Sequence, residues 1–128
     1  MRLLLDTCTF LWIILDSPEL SPGARDLFSD QGNEVFLSVV STWEIIVKHR
    51  LGRLPLPEQP RLFLPRQRRQ HGVHTLPIEE DAVLQLARLP DYHRDPFDRM
   101  LICQAIAHGL VLLTPDPAVT QYPVRTAW

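Results

Sequence analysis

Apolar positions gather in short unbroken runs, each followed by a stretch with helical spacing. Leu3-Leu4-Leu5, closed by Asp6, reads as a buried strand. Val35 to Val39 reads as a second strand, Val73 to Leu76 as a third and Leu110 to Thr114 as a fourth, with Val124-Arg125-Thr126 as an edge strand. Thr9 to Leu15 is apolar on nearly every side and predicts a buried helix. Ser21-Pro22 sets a capping serine before a proline at the first helical position. Ser41-Thr42-Trp43-Glu44 fits a capping box; it predicts a helix running to about Arg50, with Glu44 in the first turn. Pro55, Pro57, Pro60 and Pro65 punctuate the region that follows, where residues 58 to 70 admit one helix. Glu79 to Leu89 repeats Ala82, Val83, Leu86 and Ala87 at helical spacing. Asp95-Pro96 opens a helix to His108 with Gly109 as its C-cap, and Asp116-Pro117 starts a short one.

Strands alternate with helices, and the strands are continuous rather than alternating in polarity. That pattern predicts a parallel sheet covered on both faces. The expected class is α/β: a three-layer α/β/α domain with a central parallel sheet of four to five short strands. The 128 residues fit a single domain over 1–128, with no internal repeat. A chain of this length buries a core without staples.

Composition removes several classes. Apolar residues make up 45% and charged residues 22%, which excludes disorder. Cys8 and Cys103 are too few for a disulfide scaffold or a cysteine zinc finger and read as small buried hydrophobes. Asp6 and Asp16 interrupt the apolar start, and no run reaches the roughly 18 apolar residues of a membrane span. The expectation is a soluble, cytoplasmic protein with no membrane partner. The net charge of −2 gives no global cationic field, so any nucleic-acid binding must be local. Residues 48 to 74 carry Lys48, Arg50, Arg53, Arg61, Arg66, Arg68 and Arg69 against the single acid Glu58. Arg66, Arg68 and Arg69 are the candidates for holding an RNA backbone, and a solvated helix face explains the same charges equally well.

Four acids map to one edge of the expected sheet. Asp6 follows the first strand and Asp116 the fourth, and ligands of open α/β sheets bind beyond the carboxyl ends of the strands. Glu44 and Asp98 sit near the starts of helices, which lie at that same edge. Each acid alone is explained by capping or by the helix dipole. Four carboxylates within a few ångströms repel one another, and a hard divalent cation, Mg²⁺ or Mn²⁺, best explains such a set. Asp95 is a rival to Asp98 but looks like the N-cap of its helix. Thr7, Ser41 and Thr114 flank the acids and are accessory candidates, with ordinary backbone capping as the alternative. Trp12, Trp43 and Trp128 read as packing. His49, His71, His74, His93 and His108 lack metal-ligand spacing and read as surface or capping residues, His93 alone falling near the site.

The chain resembles the PIN-domain endoribonucleases, specifically the VapC-like toxins of type II toxin–antitoxin modules. The resemblance rests on LLLDTCTFLW at 3–12, SVVSTWEIIVKHRLGRLPL at 38–56, HRDPFDRMLICQA at 93–105, LLTPD at 112–116 and YPVRTAW at 122–128. It implies a ribonuclease dependent on Mg²⁺ or Mn²⁺, with the family's acids at Asp6, Glu44, Asp98 and Asp116. It also implies 5′-phosphate and 3′-hydroxyl products, a VapB-like antitoxin partner and a toxin homodimer. Cys8 departs from the histidine that close relatives often carry in DTHTFLW. Two other readings compete. A phosphoacceptor receiver domain needs a lysine near its last strand, and the only lysine is Lys48. A non-catalytic binding module on the same fold would tolerate loss of an acid, and all four are present.

Overall fold

A computed structural model describes residues 1–128. Strands β1 (Arg2–Leu5), β2 (Glu34–Ser38), β3 (His74–Leu76), β4 (Val111–Leu113) and β5 (Thr126–Ala127) form one sheet in the order β3-β2-β1-β4-β5. Every pairing is parallel. The helices are α1 (Thr7–Ile14), α2 (Pro22–Ser29), α3 (Val39–Arg50), α4 (Pro60–Gln70), α5 (Glu80–Leu84), α6 (Pro96–His108) and α7 (Pro117–Thr120). The three-layer α/β/α architecture is the one expected.

The period of two along β1 builds both layers. Leu3 and Leu5 pack with Phe10, Ile13, Ala24, Phe63 and Leu64, from α1, α2 and α4. Leu4 turns to the other face, among Leu101, Ile102, Ala105, Leu112 and Val119, from α6, β4 and α7. Helix α3 touches both sides through Ile45 and Val40. All of Leu3, Leu4 and Leu5 are fully buried, each worth ~1.5–3 kcal/mol of apolar transfer. The chain adds β2 and β3 on one side of β1, then returns to lay β4 and β5 on the other. The order of connection therefore reverses between β1 and β4, the switch point where such sheets form their crevice.

Several boundaries differ from the sequence reading. Helix α1 starts at Thr7 because the Asp6 carboxylate accepts the Thr9 N–H at 2.7 Å. Helix α3 starts at Val39, capped by Ser38, whose hydroxyl accepts the Val40 N–H at 3.0 Å. The capping box at Ser41 is not formed, and Glu44 stands beyond the first turn. The stretch after Glu79 divides into α5 and a 3₁₀ turn, Gln85–Arg88. Strand β5 lies two residues later than expected. Cys103 is buried, but Cys8 is exposed. Trp43 is 57% exposed and meets only the edge of Phe97 among aromatic partners, with ring centroids 4.9 Å apart. Gly109 closes α6 at φ +65, as the sequence suggested. No helix is long and apolar enough to cross a membrane.

Leu4→Ala should lower unfolding free energy by ~2–5 kcal/mol, since the two layers leave little room for collapse around the vacancy. Urea denaturation followed by circular dichroism measures it. A loss under ~1 kcal/mol would show that β1 is not packed between the layers as described.

Candidate active site

The switch point is tied together by hydroxyls. Asp6, at the end of β1, is 8% exposed. One carboxylate oxygen accepts the Thr9 N–H and the other accepts the hydroxyl of Thr114, just past β4. The Thr9 hydroxyl donates to the Leu113 carbonyl at 2.9 Å, so α1 is also fastened to β4. Thr114 Oγ1 in turn accepts the Asp116 N–H at 3.1 Å. The Asp116 carboxylate accepts the Ala118 N–H at 2.9 Å and caps α7.

Glu44 is buried on α3. Its Oε1 accepts the Thr7 hydroxyl at 2.6 Å, and the Thr7 and Ser41 hydroxyls are 3.0 Å apart. Its Oε2 pairs with Lys48 one turn on. Lys48 thus belongs to the acidic site rather than to a basic rim, and its pKa is raised, chiefly by the Glu44 hydrogen bond. The i,i+4 spacing is the signal that could have found this pair. Asp95 caps α6 by accepting the N–H groups of Phe97 and Asp98 at 2.9 and 3.0 Å. Asp98 in the first turn is left to face His93, whose Nε2 lies 3.1 Å from Asp98 Oδ2. His93 is therefore a partner of an acid and not a surface or capping residue.

The electrostatics mark two of the acids. Burial raises the pKa of Asp6, and the charge of Asp116 adds to it against the hydrogen bonds from Thr114 and Thr9. Burial raises Asp98 to about 6, with Asp95 and Glu44 pushing the same way and the His93 hydrogen bond opposing. Cys8, though exposed, stands beside the site: partial desolvation there, with the charges of Asp6, Glu44 and Asp98, lifts its thiol to about 11 against the charge of Lys48. The acids are thus within Coulombic reach of one another. They do not converge as closely as expected: no three His, Cys, Asp or Glu side chains form a group able to hold a metal as they stand. Each carboxylate is turned instead toward its own hydroxyl, amide or ammonium donor. The donor set still fits a hard divalent cation, which takes carboxylate oxygens and keeps several waters. Asp6 and Asp98 have no lysine or arginine partner, whereas Glu44 has Lys48.

The arginine expectation changes. Arg66 is ion-paired with Glu58, and Arg68 donates to the Val73 carbonyl at 3.0 Å. The end of α4 meets the residues that open β2: Gln70, His71 and Gly72 share with Asn33, Glu34 and Val35 the largest cavity, about 580 Å³. That is the strand-start end of the sheet, opposite the acids. Arg68 also lines a smaller pocket with Leu37, Val39 and Thr42, where β2 ends and α3 begins.

The fold and these residues define a switch-point α/β domain with buried, under-compensated carboxylates at the strand ends. The PIN domain family model matches residues 3–124, and the chain belongs to that family. Ribonuclease VapC16 of Mycobacterium tuberculosis (strain ATCC 25618 / H37Rv) is 36% identical over 55 residues, 43% of this chain. That match spans only 39% of the relative's own length. VapBC2 from Rickettsia felis, bound to a DNA fragment from their promoter, superposes with a TM-score of 0.72 at 14% identity, covering 99% of this chain and 98% of the other. DNA-bound VapBC from Salmonella typhimurium gives 0.72 at 19% identity, with 99% and 97% covered. VapBC-1 from nontypeable Haemophilus influenzae gives 0.71 at 16%, with the same coverage. At these identities the likeness is one of fold.

Two outcomes follow. Because the folded pKa of Asp98 lies above that of the unfolded chain, the native state holds the extra proton between about pH 4 and 6, and stability falls as pH rises through that window. In chelator at pH 7.5, Asp98→Asn should therefore be more stable than the parent by about 1–2 kcal/mol, a figure reduced for solvent screening. The gap should close near pH 4; thermal melts that show no gap, or one that widens in acid, would contradict the site's electrostatics. Changing Arg66, Arg68 and Arg69 together to Gln should leave the salt dependence of RNA binding unchanged. A log–log slope smaller by ~0.7 per residue would return these arginines to the phosphate backbone.

Proposed function

We propose that the chain is a divalent-cation-dependent endoribonuclease that acts as the toxin of a toxin–antitoxin module. The observation that carries this reading is the pair of carboxylates, buried Asp6 and half-buried Asp98, set at the switch point of a PIN sheet with no lysine or arginine partner, where burial raises the pKa of both. The likeness to Ribonuclease VapC16, and to toxins crystallised in VapBC complexes, supports it.

Asp6 and Asp98 would hold Mg²⁺ or Mn²⁺, with help from Glu44 and Asp116. Once bound, such an ion supplies an activated water for in-line attack on a phosphodiester and neutralises charge on the phosphoryl group. The protein's part is to fix the acids. Thr114 and the Thr9 N–H hold both Asp6 oxygens in place. Thr7, beside Ser41, orients Glu44, and Lys48 balances its charge. Asp95 secures the first turn of α6 and so the direction of Asp98. Products with a 5′-phosphate and a 3′-hydroxyl, a VapB-like antitoxin that inhibits the enzyme, and a toxin homodimer belong to the same reading.

Purified protein should cleave single-stranded RNA with Mg²⁺ or Mn²⁺ and stop with excess chelator. Asp6→Asn and Asp98→Asn should each lower the rate by ~100-fold or more, since a bound cation supplies several kcal/mol of transition-state stabilisation. Asp95→Asn should keep most activity, because Asn caps helices about as well as Asp. Cleavage undiminished in chelator, or equal rates for Asp6→Asn and the parent, would overturn the reading.

A further inference from the structure

Behind Asp98 stands a partly buried hydrogen-bond relay whose proton positions follow from counting donors. The Tyr122 phenol oxygen is approached by two N–H donors: the His93 backbone at 3.0 Å and Arg99 Nη1 at 3.1 Å. Arg99 Nη1 has three acceptors in reach, the Pro90 carbonyl at 2.9 Å, Tyr122 and the His93 carbonyl at 3.3 Å; its two hydrogens serve the two shorter contacts, Pro90 and Tyr122, while Nη2 donates to the Asp91 carboxylate at 3.0 Å. These two donors occupy both lone pairs of the phenol oxygen, so Tyr122 can only donate its own proton. Two acceptors are in reach: His93 Nδ1 at 2.8 Å and the His93 carbonyl at 3.5 Å. The shorter contact wins, since hydroxyl hydrogen bonds weaken quickly beyond about 3 Å. His93 Nδ1 is then an acceptor and carries no proton. In the neutral ring the proton sits on Nε2, which faces Asp98 Oδ2 at 3.1 Å.

We propose that His93 is a positioning residue: Tyr122 locks its imidazole in the Nε2–H tautomer, and the ring donates to Asp98 Oδ2 and fixes the carboxylate. Asp98 Oδ1 takes no hydrogen bond from the protein and remains open to a ligand. The arrangement places a donor behind an acid as outer-shell groups do for metal ligands, where their loss typically costs 10–100-fold in affinity. The part of the proposal that concerns a cation rests on the reading of Asp98 as its ligand. The tautomer lock does not.

The test has two arms. In metal-free ¹⁵N-labelled protein at neutral pH, long-range ¹H–¹⁵N spectra should show His93 with a pyridine-like Nδ1 and a pyrrole-like Nε2. Tyr122→Phe removes the phenol hydroxyl, and with it the donor to Nδ1 and the acceptor of the His93 and Arg99 N–H groups, and should release the ring to a mixture of tautomers. A parent spectrum with the proton on Nδ1, or one unchanged in Tyr122→Phe, overturns the lock. In the second arm Mn²⁺ binding is followed by electron paramagnetic resonance. His93→Leu should weaken it by ~10-fold or more, whereas His93→Gln, whose amide nitrogen stands where Nε2 was, should keep most of the affinity. Equal Mn²⁺ affinity in the parent and His93→Leu overturns the positioning role. If the parent itself binds no Mn²⁺, the assignment of Asp98 as a ligand fails, and the spectra alone decide the lock.

Discussion

The hydroxyl of Thr114 donates to Asp6 across the gap between β4 and β1, and the rest of the site depends on that bond. It joins the two strands at the point where the sheet's order of connection reverses. No ladder hydrogen bond extends beyond Leu5 and Leu113, so the two strand ends need another tie. The Thr9 hydroxyl supplies a second from α1 to β4. Together they keep a buried carboxylate in place at a position where burial disfavours its charge.

The site is a compromise between fold and charge. Asp6, Asp95 and Asp116 all cap helices, and their capping bonds stabilise local structure whatever else they do. Glu44 has its own counter-ion in Lys48. Asp98 has only the donor His93 and lies near Asp95 and Glu44, and its pKa shows the strain. A protein without use for these charges would be more stable with amides there. Such uncompensated carboxylates gathered at a sheet's switch point are what the proposed cation site would use. Each carboxylate is turned toward its own protein donor, and no three of them form a ready ligand group.

Much of the fold was legible because β1 and β4 are buried on both faces, and a continuous apolar run announces that directly. Asp6, Asp98 and Asp116 could be placed for a like reason, since each follows a strand or opens a helix, whereas Glu44 stands beyond the first turn of α3. What failed were local choices between equivalent signals. Ser38 and Ser41 each offer a cap for α3, and the end of the β2 ladder selects Ser38. The run from Thr9 to Leu15 hides that Cys8, at the start of α1, is turned outward. The arginines of α4 gave a charge sum but no direction, and the acceptors that engage Arg66 and Arg68, Glu58 and the Val73 carbonyl, have no signature in it. His93 could be placed near the site but not given its partner, because Asp98 lies five residues on, across a proline-headed cap, where no helical spacing links them.

The central claim is that the strand-end acids hold a divalent cation at the switch point. Anomalous diffraction from a crystal soaked in Mn²⁺ tests it most directly. The account predicts one strong peak bounded by the carboxylates of Asp6 and Asp98, with the Thr114 bond to Asp6 retained. A peak at Asp30 and Glu34 in the largest cavity instead, or none at saturating Mn²⁺, would contradict it.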